Sequence, residues 1–131
     1  EFEKDQLPAA KANGTGVIVF SPLAQGLRTT KYLGKTIPEE SRAAKLWSEE
    51  ERQSHLTEAM RQRVAKLAEI AQDRGQTLPQ MALAWVLRDP VVTSALVGAS
   101  EVEQIEENVK ALERPDFTDE ERQRFDKGLK G

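Results

Sequence analysis

Cysteine is absent from the 131 residues, and histidine and tyrosine occur once each, as His55 and Tyr32. Without cysteine there is no disulfide framework, no thiolate nucleophile and no cysteine-based zinc site. A single histidine removes every motif built on a histidine cluster, so no metal site is expected. Charge of one sign is also lacking: 22 acidic residues stand against 19 basic ones, a net of −3. Lysine and arginine alternate with glutamate and aspartate along helical faces, so there is no basic stripe and nucleic acid is not expected as a partner. No apolar run approaches the ~20 residues that a membrane span needs, and the opening EFEKDQLPAA lacks the layout of a signal peptide. The expectation is a soluble cytoplasmic chain with no membrane partner. Its start at Glu1-Phe2, without a methionine, leads one to expect further sequence upstream.

What is present is an ordered set of helix and strand signals. Residues 5–13 permit a short helix, and Gly14 and Gly16 punctuate the entry to TGVIVF. That run is apolar and β-branched without alternation, as expected of a strand covered on both faces in a parallel sheet. From Gly26 to about Ser54 the pattern dissolves into a long polar loop, and loops of that length are usually functional covers or linkers. Four helices follow. The first, from about Leu56 to Arg74, carries Leu56, Met60, Val64, Leu67, Ile70 and Ala71 on one face and stops at Gly75. The second opens on the capping box Thr77-Leu78-Pro79-Gln80 and buries Met81, Leu83, Ala84, Trp85 and Leu87. A second unalternating strand, TSALVG, lies beyond Asp89-Pro90. The last two helices start at Ser100, with Glu103 as its box partner, and at Thr118, with Glu121.

The order strand, loop, helices, strand, helix, helix is a βαβα pattern. Two parallel strands buried on both faces cannot satisfy their own sheet edges. A complete eight-stranded β/α barrel takes about 250 residues. The chain is therefore expected to be the tail of a larger α/β domain, completed by a missing N-terminal half or by another copy. A dinucleotide-binding Rossmann turn is not expected, because Gly14-Thr15-Gly16 precedes a strand and does not follow one.

In parallel α/β folds the loops that leave the strand C-termini face the ligand. After the first strand, Ser21 offers a hydroxyl, Pro22 fixes the backbone and Gly26 permits close approach. After the second, Gly98-Ala99-Ser100 leads into a helix N-terminus, which favours an anion. At 100° per residue, Ser100, Gln104, Glu107 and Asn108 share one polar stripe, while Val102, Ile105, Val109 and Leu112 lie opposite. The stripe reads either as a capped, solvated helix face or as contacts to a ribose, a phosphate and an adenine.

FSPLAQGL…KY, RGQTLPQMALAWVLRDPVVTSALVGAS and VGASEVEQIEEN occur in that order and resemble the C-terminal part of aldo-keto reductases, over about Leu7 to Leu129. Within that family the likeness is to the branch holding bacterial glyceraldehyde-phosphate-type reductases and potassium channel β subunits. The resemblance implies a fold class of α/β, the C-terminal portion of an eight-stranded β/α (TIM) barrel, helix-rich with two parallel strands. Residues 1–131 would form one segment of that barrel, with a cofactor-covering loop at about 27–54. The implied cofactor is NADPH (NADP). Phe20 would stack on the nicotinamide, and Ser21, Pro22, Leu23, Ala24, Gln25 and Gly26 would line the pyrophosphate. Lys31 and Arg42 would supply cations from the covering loop. Gly98, Ser100, Gln104, Glu107 and Asn108 would hold the adenosine end. Gln104 stands where many members carry an arginine, so charge at that position does not select NADPH over NADH.

The family transfers a hydride to a carbonyl substrate, with a tyrosine as proton donor tuned by an Asp, a Lys and a His. All four belong to earlier barrel strands, so no catalytic residue is expected in this chain. Tyr32 and His55 match no catalytic motif and read as structural, as do Trp47 and Trp85. Three functions remain open. The chain is the cofactor-binding part of a reductase, inactive until completed. It is a nucleotide-sensing regulatory or interaction module. Or it is a truncated fragment without function.

Overall fold

A computed structural model of the chain describes residues 2–22, 37, 39 and 41–130. A π-helical turn, Phe2–Gln6, runs into α1, Leu7–Ala12, and then β1, Val17–Phe20. Next come α2, Arg42–Leu46, α3, Glu49–His55, α4, Glu58–Asp73, and α5, Leu78–Leu87. The chain ends with β2, Val92–Leu96, α6, Val102–Val109, a 3-10 turn, Lys110–Glu113, and α7, Asp119–Lys130. Two compact units result, Glu1–Pro22 with Gln80–Asp116, and Leu23–Pro79 with Phe117–Gly131.

In the first unit α1 is stopped by Gly14 at φ +61°. The Gly14 and Thr15 N–H groups donate back to Lys11 and Ala10 carbonyls at 3.1 and 2.9 Å, which satisfies the last turn in a Schellman arrangement. The chain then enters β1, which pairs with β2 in parallel. Their register jumps between Val17, opposite Val92, and Ile18, opposite Ser94, so Thr93 is an extra residue. The Thr93 hydroxyl uses the bulge to donate to the Val17 carbonyl at 3.1 Å. Gly16 has no side chain for a physical reason, since a Cβ there would lie 2.5 Å from Thr93 Cγ2.

Among the described residues the two strands have cover on one face only. Val17 and Val19 are half-buried while Ile18 and Phe20 are exposed, and in β2 only Val92 is buried. Apolar residues at every position suit a strand with neighbours above and below, and among the described residues only one side has them. Much of the burial in this unit falls on α5, where Met81, Ala82, Leu83 and Ala84 are buried. Trp85 is half-buried, with the Arg88 guanidinium 3.9 Å above its ring.

The second unit is built on α4. Thr57 caps it by accepting from the Met60 N–H at 3.2 Å, and Gly75 at φ +68° ends it. The Gly75 and Gln76 N–H groups bond Gln72 and Ala71 carbonyls, both at 2.9 Å. Val64, Leu67, Ile70 and Ala71 are buried as the helical spacing predicts, the larger ones stabilising the unit by about 2 kcal/mol each. Facing them, α7 starts with the predicted box: the Thr118 N–H donates to Glu121 Oε2 at 2.8 Å and the Glu121 N–H to Thr118 Oγ1 at 3.2 Å. The same Glu121 oxygen takes the Arg74 guanidinium at 2.7 Å. Arg74, whose side chain is 1% exposed, also lies 3.7 Å over the Phe117 ring.

The long loop to Ser54 is corrected, because α2 and α3 lie inside it. Both begin on a serine. Ser41 accepts from the Ala44 N–H at 3.3 Å, and Ser48 and Glu51 complete a capping box at 3.2 and 2.8 Å. Arg52 then ties the two helices together by donating to the Ala43 and Ala44 carbonyls, both at 2.9 Å. Buried Ala43 and Leu56 with half-buried Ile37, Trp47 and Met60 form a small core beneath them. Trp47 is thus a packing residue, with the exposed His55 ring 5.3 Å away.

Candidate functional site

The parallel pairing of Phe20 with Leu96 places the C-terminal ends of β1 and β2 level with each other. Side chains alternate along a strand, so Ile18 and Phe20 share the open face with Ser94 and Leu96. Phe20 ends β1 and is 79% exposed. The next residue, Ser21, takes φ +52°, the one non-glycine positive φ among the described residues. That conformation costs an L-residue roughly 1–2 kcal/mol, and a residue before proline is ordinarily held extended. Pro22 behind it is buried and Ser21 itself is exposed. A strained, exposed hydroxyl at a strand end is the kind of outlier that marks ligand-contacting turns.

After β2 the chain passes through exposed Gly98 to Ser100 and α6. The predicted box of Ser100 with Glu103 does not form. The helix starts one residue later, with Glu101 as N-cap and no side-chain cap bond, so Glu103 comes too early to fold back. Gln104 takes that place: its Oε1 accepts from the Ser100 N–H at 3.1 Å and its Nε2 donates to Ser100 Oγ at 3.2 Å. Ser100 and Gln104 are therefore joined as one polar unit. Gln104, Glu107 and Asn108 are half-buried, whereas Val102, Ile105, Val109 and Leu112 are exposed. The stripe predicted from the helical period is real, but it is the polar side that turns inward. Ser100 at its start stays exposed.

A residue that the sequence reading did not assign to the site holds this arrangement. Gln80 of α5 is buried, and its Nε2 donates to the Glu107 carbonyl at 3.1 Å. In the sequence Gln80 shows only as the partner of Thr77 in a capping pattern; its bond to residue 107 has no local signal. Of the predicted cofactor residues, Phe20, Ser21, Pro22, Gly98, Ser100, Gln104, Glu107 and Asn108 all fall in the first unit. Leu23, Ala24, Gln25, Gly26 and Lys31 lie outside the described residues, as do Tyr32 and the side chain of Arg42. Among the described residues no three acidic or histidine side chains gather as a metal site. No helix there is long and apolar enough to cross a membrane.

The profile of the Aldo/keto reductase family matches residues 2–130. The chain belongs to that family. Among curated proteins it is 48% identical over 125 residues to an L-glyceraldehyde 3-phosphate reductase of Escherichia coli O157:H7, covering 94% of this chain and 36% of that protein. It is 43% identical over 114 residues to a putative voltage-gated potassium channel subunit beta of Schizosaccharomyces pombe, covering 86% of this chain and 33% of that one. Among solved structures, a glycerol dehydrogenase from Gluconobacter oxydans superposes with a TM-score of 0.77 at 28% identity, over 98% of this chain and 38% of its own. This aldo/keto reductase chain thus spans about a third of the length of the curated relatives it matches.

Proposed function

We propose that the chain is the NADP(H)-holding C-terminal part of an aldo/keto reductase barrel, whose complete form reduces aldehydes or ketones in the cytoplasm. The observation that supports this most is the pairing of two polar strand-end features in one unit. One is the strained Ser21 turn beside the exposed Phe20 ring; the other is the Ser100–Gln104 pair with inward-facing Glu107 and Asn108. An exposed aromatic ring suits a flat nicotinamide, and amide, hydroxyl and carboxylate groups suit a ribose and an adenine. The bound nucleotide would supply the hydride. This chain's residues would bind and orient it: Phe20 against the ring, Ser21 beside the pyrophosphate, and Ser100, Gln104, Glu107 and Asn108 at the adenosine. The proton donor lies in the strands that this chain does not contain.

Isothermal titration with NADPH tests the reading, comparing the chain with Ser100→Ala/Asn108→Ala. Two lost hydrogen bonds at about 1 kcal/mol each should weaken binding roughly thirtyfold. Equal affinities would return the stripe to a structural role. In the same samples an aldehyde panel should show no turnover by the 131 residues alone.

A second reading, a nucleotide-sensing module, is favoured by the likeness to the fission yeast channel subunit. It predicts that NADPH binding by the full-length protein alters association with a partner without carbonyl turnover.

A further inference from the structure

Arg61 stands in the second unit as a largely enclosed cation whose hydrogen bonds are unmade. It is the fourth residue of α4, beside half-buried Met60, and its side chain is 24% exposed. Among the described residues its guanidinium has Glu58 as ion-pair partner, 3.8 Å from Nη1, which is beyond hydrogen-bond length. Its Nε is buried and has no hydrogen-bond partner. An arginine cannot shed its proton to relieve that state, and buried polar atoms are nearly always paired. The same side chain borders a cleft of about 220 Å3, lined with it by Ile37, Glu49, Arg52, Gln53 and Leu56. All of these belong to Leu23–Pro79. The space is far more than the ~10–15 Å3 that one water needs.

A second guanidinium lines the cleft. Arg52 uses Nε and Nη2 on the Ala43 and Ala44 carbonyls, which fixes its plane and leaves Nη1. Glu49 lies 3.6 Å from that atom, again too far for a hydrogen bond, and accepts instead from Gln53 Nε2 at 3.2 Å. The Glu49 and Glu58 side chains are 70% and 73% exposed. Exposed pairs of this kind contribute little, so either carboxylate can turn to water.

We propose that the cleft is a binding site for a small phosphate, free or as the monoester of a compact molecule, held by the guanidiniums of Arg61 and Arg52. A tetrahedral dianion suits these donors. Nε–H and the neighbouring Nη2–H of Arg61 form a fork that takes two oxygens, and Arg52 Nη1 offers a donor to a third. A carboxylate has only two oxygens, both filled by the fork, and one charge to share between two cations. Because Nε is enclosed, the fork comes to bear when the Arg61 guanidinium turns toward the cleft, a motion that breaks no hydrogen bond. Buried Leu56 and half-buried Ile37 line the same cleft. They give the carbon stem of a monoester an apolar contact and lower the local dielectric, which strengthens the charged hydrogen bonds. None of the lining residues is among those given to the nucleotide, so the site stands whether or not the chain holds NADPH.

Proton–nitrogen correlation spectra of the chain test this, with the Arg61 Nε–H signal assigned by its loss in Arg61→Lys. Inorganic phosphate should shift that signal downfield with a Kd on the order of 1 mM. Potassium chloride of equal ionic strength should leave it in place, because screening alone forms no bond. In isothermal titration, acetate should bind at least ~10-fold more weakly than phosphate. Arg61→Gln and Arg61→Lys should each weaken phosphate binding at least ~10-fold, the lysine because an ammonium keeps the charge without the fork. Glycerol 3-phosphate binding more tightly than inorganic phosphate identifies a monoester as the ligand, and equal binding identifies the free anion; both uphold the site.

Circular dichroism of the two variants should match the parent, and if either unfolds the titration of the parent chain decides. An Arg61 Nε–H signal that phosphate does not move, an equal shift with chloride, or an Arg61→Lys variant that binds as tightly as the parent overturns the proposal. Acetate matching phosphate overturns it too, because the third donor would then have no role.

Discussion

Ser21 and Gly16 bracket the four residues of β1, Ser21 by its backbone turn and Gly16 by its contact with Thr93. Ser21 turns the chain at φ +52° between an exposed phenylalanine and a buried proline. Gly16 lies so close to Thr93 that any side chain collides with it. Gly16→Ala should therefore destabilise the chain by about 1–3 kcal/mol, the usual range for an overpacked site. Thr93→Ser removes the Cγ2 atom that a Cβ would meet at 2.5 Å and should recover part of the loss. Urea denaturation of the two single variants and the double checks this. Strict additivity in that cycle would mean that the two residues do not touch. The same approach of backbone to side chain explains why a glycine legible as punctuation is in fact a packing requirement of the bulge.

Helix α3 shows how a charged run acquires structure. Ser48, with Glu51 three residues on, closes a capping box in a segment whose polar composition reads as loop. Hydrogen bonds from the Ser48 backbone N–H and side chain hold the Glu51 carboxyl below the usual glutamate range, with a small further contribution from His55. A carboxylate whose folded value is depressed stabilises the fold above its unfolded value, about 4.3, and loses that contribution as pH falls through the folded value. The box should thus hold at neutral pH and open on acidification through the lowered Glu51 value. A carboxyl-detected titration should place Glu51 below the usual glutamate value. Glu51→Gln should flatten the pH dependence of amide exchange at the start of α3, and a Glu51 titrating at the usual glutamate value would contradict the box. Helix α6 carries the complementary lesson. Its two stripes were legible from a period of 3.6, but which one faces inward was not, because that depends on Gln80 reaching the Glu107 carbonyl from another helix.

At the scale of the whole chain the two units differ in how complete they are. Leu23–Pro79 with Phe117–Gly131 has helix packed on helix, an edge-on Phe117–Phe125 pair at 6.2 Å and a buried ion pair. Glu1–Pro22 with Gln80–Asp116 holds a two-stranded sheet with an apolar face in water. Native-state hydrogen exchange should accordingly find the slowest amides in α4 and α7. Those of β1 and β2 should exchange at least ~10-fold faster, since opening free energy follows the buried apolar contacts of each region. Equal protection in both units would show that the sheet finds its cover within the chain.

Local chemistry was enough to read α4 to its glycine stop, the Thr118–Glu121 box, the two parallel strands and the polar grouping on α6, because caps, periodicity and turn residues act over three or four positions. The family follows from the same stretches, since its motifs are contiguous runs. Only the tertiary structure decided that Ser21 is strained, that Gln104 replaces Glu103 as the partner of Ser100, and that the polar side of α6 turns inward. It also decided that, among the described residues, the two strands have cover on one face only. The place of α6 and the pairing of the strands depend on groups brought together from distant positions, residue 16 with 93, 20 with 96 and 80 with 107, and contacts between distant positions leave no period in a sequence.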